Sequence, residues 1–189
     1  MDLTFVTGNA GKMHEAKALL GDLVTLHQDT GGYTEVQADT LEEVVRRGLY
    51  EVDRRLDNPF FLEDAGLFVD ALSGFPGVYS AYAFKTIGWQ GVLRLIAGLP
   101  EEKRSARFEA VVGYRDDRGV DHLFTGTAEG TLSADGRGDK GFGFDPIFIP
   151  RGHERTFGEM ETDEKSALSH RGAAMGKLRH HLEKVLATA

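Results

Sequence analysis

The run Phe60-Phe61-Leu62-Glu63-Asp64 restricts this chain more than any other, because wholly apolar residues lead directly into two acids. A short apolar run without alternation reads as a strand covered on both faces, the pattern of a sheet enclosed by helices. In open α/β sheets ligands collect at the carboxyl ends of strands, where a carboxylate can hold a hard cation or activate water. Neighbouring residues on an extended chain point to opposite sides, so one of Glu63 and Asp64 is expected to face such a site.

The surrounding sequence supplies the covering helices. Leu3 to Thr7 reads as a strand, Gly8 to Lys12 as a loop, and Met13, Ala16, Leu19 and Leu20 recur at helical spacing. Gly21 and Asp22 stop that helix, and Leu23 to Leu26 suits a second short strand. Thr40 and Glu43 fit a capping box, after which Leu41, Val44, Val45, Leu49, Val52 and Leu56 line one face until Asn58 and Pro59. A glycine-rich turn spans Gly74 to Gly77, and Ile87 to Ile96 is helical, ended by Gly98 and Pro100. Arg107 to Tyr114 and Val120 to Thr127 form a hairpin about the turn at 116–119, and Pro146 to Ile149 follows a glycine-rich stretch. A last helix starts near Ser169 with Met175, Leu178, Leu182, Val185 and Leu186 on one face. Strands alternating with helices, plus an antiparallel hairpin, predict an α/β fold with a mixed sheet. The 189 residues suit one domain, 1–189, or two close-packed lobes.

Composition narrows the function. With no Cys, disulfide scaffolds and Cys-ligated zinc are excluded. A net charge of −8 argues against a nucleic-acid backbone as partner. No apolar run approaches the roughly 20 residues that span a bilayer, so the expectation is a cytoplasmic protein without a membrane partner.

Four constellations bear chemistry. Thr7-Gly8-Asn9-Ala10-Gly11-Lys12, between a strand and a helix, offers backbone N–H groups and a lysine to a phosphate, although a tight turn with a surface lysine fits the spacing equally. It is no Walker A loop, which needs four residues before Gly-Lys and then Ser or Thr. Glu63-Asp64-Ala65-Gly66 is the acidic strand end, and Glu35, in a polar loop, could join Asp64 in a Mg²⁺ site. In Gly141-Phe142-Gly143-Phe144-Asp145-Pro146 an aromatic ring can stack on a planar base and a carboxylate can read a ring N–H, while a hydrophobic plug on the sheet fits the composition as well. In Lys165-Ser166-Ala167-Leu168-Ser169-His170-Arg171 two cations occupy a first helical turn, which opposes the helix dipole unless an anion or carbonyl binds there. A solvated basic patch is the plainer alternative.

Together with Gly74-Phe75-Pro76-Gly77-Val78-Tyr79-Ser80, these segments in this order resemble the inosine triphosphate pyrophosphatase family over nearly the whole chain, and Glu35 to Glu43 looks most like its archaeal-type members. The resemblance implies hydrolysis of ITP, dITP and XTP to the monophosphate and pyrophosphate. It implies a long, twisted mixed sheet with helices on its faces, forming two lobes around a central cleft, in a homodimer. By the same resemblance Thr7, Gly8, Asn9, Ala10, Gly11 and Lys12 hold the triphosphate, with Lys12 also counted in catalysis. Glu35 and Asp64 bind Mg²⁺, and Asp64 accepts the proton of the attacking water. Phe142 stacks on the purine, and Gly143, Phe144, Asp145, Lys165, His170 and Arg171 complete the pocket. Ala65 stands where the family usually carries a substrate-contacting Ser. The remaining alternatives are a related pyrophosphatase for modified pyrimidine or methylated guanine nucleotides, and a nucleotide sensor without turnover.

Overall fold

The structure is a computed structural model that describes residues 1–57 and 59–188. In chain order its elements are β1 (Asp2–Val6), α1 (Ala10–Leu20), β2 (Thr25–Asp29), α2 (Leu41–Val52), β3 (Phe60–Val69), α3 (Ser80–Leu95), β4 (Ser105–Arg115), β5 (Asp121–Leu132), β6 (Phe148–Pro150), α4 (Thr162–Leu168) and α5 (His170–Ala187). The six strands form one sheet in the order β2-β1-β3-β4-β5-β6. Strand β1 is parallel to β2 and β3, and β5 is antiparallel to β6, so the sheet is mixed as the alternation predicts. No helix among the described residues is long and apolar enough to cross a membrane.

The chain divides into two compact units. The first comprises Met1–Asp64, Ala110–Gly126 and Arg171–Ala189, and the second Ala65–Glu109 and Thr127–His170. Strands β3, β4 and β5 each contribute residues to both. In the first unit Phe5 of β1 stacks on Phe61 of β3 with ring centroids 4.3 Å apart. The apolar face of α2 is buried as its spacing predicts, and Thr40 Oγ1 accepts the Glu43 N–H at 3.2 Å. From α5, Met175, Leu178 and Leu182 are buried. In the second unit a separate core gathers Leu67, Val92, Phe108, Phe148 and Phe157.

The strand bearing the acids is longer than the apolar run suggests. Its pairing with β1 ends at Val6 opposite Leu62, yet β3 continues to Val69. Glu63 and Asp64 therefore lie within the strand, just past the point where β1 stops. Other boundaries also move. The strand expected at Leu23 to Leu26 is Thr25–Asp29, set by pairing with Asp2–Val6. Helix α2 ends at Val52 and residues 53–56 form a turn, so Leu56 is not helical; the closing role given to Asn58 falls outside the described residues. Helix α3 starts at Ser80, straight from the turn at Gly77–Tyr79, and is interrupted at Gly88 (φ 65°, ψ −178°). The Lys165 segment is itself helical, and Ser169, extended at φ −85° and ψ 155°, separates α4 from α5.

Candidate active site

In the first unit the loop between β1 and α1 is fixed by its own side chains. Thr7 Oγ1 accepts the Asn9 N–H at 3.1 Å, and Asn9 Oδ1 accepts those of Gly11 at 2.9 Å and Lys12 at 3.1 Å. Asn9 is thus the N-cap of α1. Two of the N–H groups expected to cradle an anion are spent on this cap, which is a correction to the sequence reading. A Cβ at Gly8 would meet nothing within 4 Å, so the space above the loop is open.

Lys12, in the first turn of α1, donates from Nζ to the Glu63 carbonyl oxygen at 2.9 Å and pairs with Glu63 Oε2 at 3.0 Å. Arg171, at the start of α5, is buried, with Nε 3.2 Å from Glu63 Oε1 and Nη1 2.7 Å from Glu15 Oε2. Burial opposes the Arg171 charge, and the Glu63 and Glu15 carboxylates overcome it, raising the guanidinium pKa above its usual value. The cation predicted to need an external anion at the helix start is balanced by two internal carboxylates, and it is no solvated patch.

The Tyr33 hydroxyl donates to the Glu63 carbonyl oxygen at 3.4 Å. Burial, and then the charges of Asp64, Glu63 and Glu35, push its pKa well above that of an ordinary phenol. Glu35 is exposed and Asp64 buried, and both carboxylates act on this one hydroxyl. No group of three His, Asp or Glu suited to a metal occurs among the described residues. A pair of carboxylates fits Mg²⁺, which takes one or two of them and leaves its other positions to water and phosphate oxygens.

In the second unit the glycine-rich loop is organised by one carboxylate oxygen. Asp145 Oδ2 accepts the Phe142 N–H at 2.7 Å and pairs with Lys165 Nζ at 2.8 Å. Position 141 must be glycine on two counts: its φ is +73°, and a Cβ would lie 2.2 Å from Asp145 Oδ2. Lys165 Nζ lies 4.8 Å from the centre of the half-buried Phe142 ring. The lysine assigned to the nucleotide thus sits under the aromatic loop, where it pairs with Asp145. Phe144 goes the way of the hydrophobic plug: its ring is 4 % exposed in the second core, edge-on to Phe84. His170 is buried and stacks on Phe108 at 4.6 Å with 10° between the rings. Ala65 is half-buried on β3, followed by Gly66, where a Cβ would lie 2.3 Å from the Gly77 carbonyl oxygen. Ser80 ties that segment to the strand, with Oγ accepting the Leu67 N–H at 2.8 Å and donating to the Gly77 oxygen at 2.7 Å.

Sequence reasoning gave no role to Glu15 or Tyr33. Glu15 had a signal, a charge between Met13 and Ala16 on a buried helical face. Tyr33 stands in a loop without periodicity and had none.

The sequence model of the Ham1 family matches residues 3–181. A dITP/XTP pyrophosphatase from Thermococcus kodakarensis is 51% identical over 187 residues, 98% of this chain and 100% of that one. Another dITP/XTP pyrophosphatase, from Pyrococcus horikoshii, is 46% identical with 93% of each chain covered. Among solved structures, a HAM1 protein from Coxiella burnetii aligns with a TM-score of 0.82 at 29% identity, covering 100% of both chains.

Proposed function

The chain belongs to the Ham1 family, and on that premise we propose that it hydrolyses the non-standard purine nucleoside triphosphates ITP, dITP and XTP to the nucleoside monophosphate and pyrophosphate. The observation that carries the chemistry is the Glu63–Asp64 step of β3. Glu63 pairs with Lys12 and Arg171, alternation along the strand turns Asp64 to the other side, and the charges of Asp64, Glu63 and Glu35 all act on Tyr33.

Water attacks the α-phosphorus, Asp64 takes its proton, and the bond from the α-phosphorus to the bridging oxygen breaks to release pyrophosphate. Glu35 and Asp64 would hold Mg²⁺, which neutralises charge spread over the phosphates. An ammonium has three N–H donors, and with Glu63 taking two from Lys12 the third is assigned to the phosphates. Thr7, Gly8, Asn9, Ala10 and Gly11 border the open space over the loop. Phe142 stacks on the base, its ring held by Asp145 and Lys165. His170 and Arg171 are the donors assigned to the oxygen at C6 of hypoxanthine or xanthine, where adenine carries an amino group.

We take both units as one pyrophosphatase domain of a cytoplasmic homodimer. Supporting an interface between copies, Tyr79, Tyr82, Phe84, Ile87 and Leu95 are large, exposed apolar side chains on and beside α3. Light scattering during size exclusion tests the dimer. The activity is tested by pyrophosphate release from ITP, XTP, dITP, GTP, ATP and UTP, with Mg²⁺ and with chelator. Metal-dependent release from the first three is expected. Preference for UTP would point to a pyrimidine enzyme, and melting-temperature shifts with ITP without turnover to a sensor.

A further inference from the structure

Helix α2 carries a glycine in its interior, at Gly48, where glycine costs about 1 kcal/mol relative to alanine. The neighbours explain it. A Cβ at position 48 would lie 2.8 Å and 3.0 Å from Cδ2 and Cε2 of Tyr33, and 3.0 Å from Leu62 Cδ2. The missing side chain is a notch in α2 that seats the Tyr33 ring against the last apolar residue before Glu63.

The segment 30–38 has neither helix nor strand, so its path must be set by side contacts. Three consecutive residues dock it. The Gly32 oxygen accepts from Arg55, Tyr33 fills the notch, and the Thr34 N–H donates to Glu51 of α2 at 3.1 Å. Glu35 is the next residue. On the other side, the Tyr33 hydroxyl reaches the Glu63 carbonyl oxygen, which Lys12 Nζ also meets.

We propose that Tyr33, seated in the notch at Gly48, is a positioning residue that fixes the Glu35 loop against the Glu63–Asp64 step and so sets the affinity of Glu35 and Asp64 for a divalent cation. The inference rests on the assignment of Glu35 and Asp64 as the metal pair. It predicts that a substitution in α2, which carries none of the residues assigned to substrate or metal, acts on metal affinity, and that filling the notch weakens the site although alanine is the better helix former.

The test is direct Mn²⁺ binding without substrate, followed by electron paramagnetic resonance, alongside the Mg²⁺ concentration for half-maximal rate. Gly48→Ala is expected to raise the Mn²⁺ dissociation constant and that Mg²⁺ concentration by about tenfold, the scale for supporting residues around a metal. At saturating Mg²⁺, kcat and the KM for ITP should stay within about twofold, a split that general loss of structure would not produce. Tyr33→Leu leaves α2 untouched and should give the same loss; it replaces Gly48→Ala if that variant does not fold. Glu35→Gln separates the two levels of the argument. If it weakens Mn²⁺ binding while neither Gly48→Ala nor Tyr33→Leu does, the positioning role is wrong. If Glu35→Gln also leaves binding unchanged, the metal pair itself is wrong.

Discussion

In the first unit, Lys12 and Arg171 meet Glu15 and Glu63 in a four-membered charge network drawn from α1, β3 and α5. The second unit buries the pair of Asp145 with Lys165 and roofs it with the Phe142 ring. The contrast shows two ways of burying charge. A network of balanced pairs lets a strand bury two adjacent acids, Glu63 and Asp64, which suits proton transfer and a metal. A buried pair beneath an aromatic ring holds a loop in shape, which suits recognition of a base.

Breaking each arrangement should give a different signature. The largest expected effect is on stability, from Arg171→Met. It leaves Glu63 and Glu15 buried without the guanidinium, at about 3–5 kcal/mol for a broken buried pair. At roughly 2–4 °C per kcal/mol for a chain of this size, thermal unfolding should move down by about 6–20 °C. A drop under 2 °C would mean that the network does not bear on folding. Next, Asp64→Asn should leave the melting temperature near that of the wild type but lower kcat by at least about a hundredfold, the scale for losing a general base. A near-normal rate in a folded variant would move the base elsewhere. Phe142→Ala should raise the KM for ITP by roughly tenfold, as for loss of one stacked base, with a smaller change in kcat. An unchanged KM would return Phe142 to the role of a plug and erase the distinction drawn between the units.

The smallest effect separates the network from ordinary titration in the same unit. His181 of α5 lies 4.4 Å, centre to centre, from His122, whose Nε2 is 3.1 Å from Asp116 Oδ2. Burial, and then the His122 charge, hold His181 below its usual 6.5, with Lys184 acting the same way and Asp116 opposing. A histidine depressed in the folded state binds its proton more readily when unfolded. Stability is therefore full above 6.5 and falls as the pH drops through 6.5 toward the folded value. Between pH 7 and pH 5, His181→Phe should flatten the fall in melting temperature; an identical slope in both proteins would assign it to other groups.

The legible parts were local. The helical faces of α2 and α5 and the turn at 116–119 follow from spacings of a few residues. The partners that spacing does not show depend on distance along the chain. The cations at the start of α5 looked uncompensated because Glu15, which balances Arg171, is 156 positions away. Lys165 was placed in the nucleotide pocket by resemblance, and nothing local marked Asp145, 20 positions earlier, as its ion-pair partner. Gly48 was visible as an odd residue on an apolar face between Val45 and Leu49, but only the fold reveals the ring that fills its place.

Strand β3 carries a consequence for how this sequence can change through time. Ten consecutive residues, Phe60–Val69, hold in one register the buried Phe60, Phe61, Leu62, Leu67 and Val69, the two adjacent buried acids and the glycine whose Cβ would meet Gly77. A single inserted or deleted residue would exchange the faces of the two acids along with those of every neighbour. Drift in this stretch is thus confined to replacement at constant length, whereas 30–38, free of any register, is where descendants can lengthen the chain until they reach the residues that dock on α2.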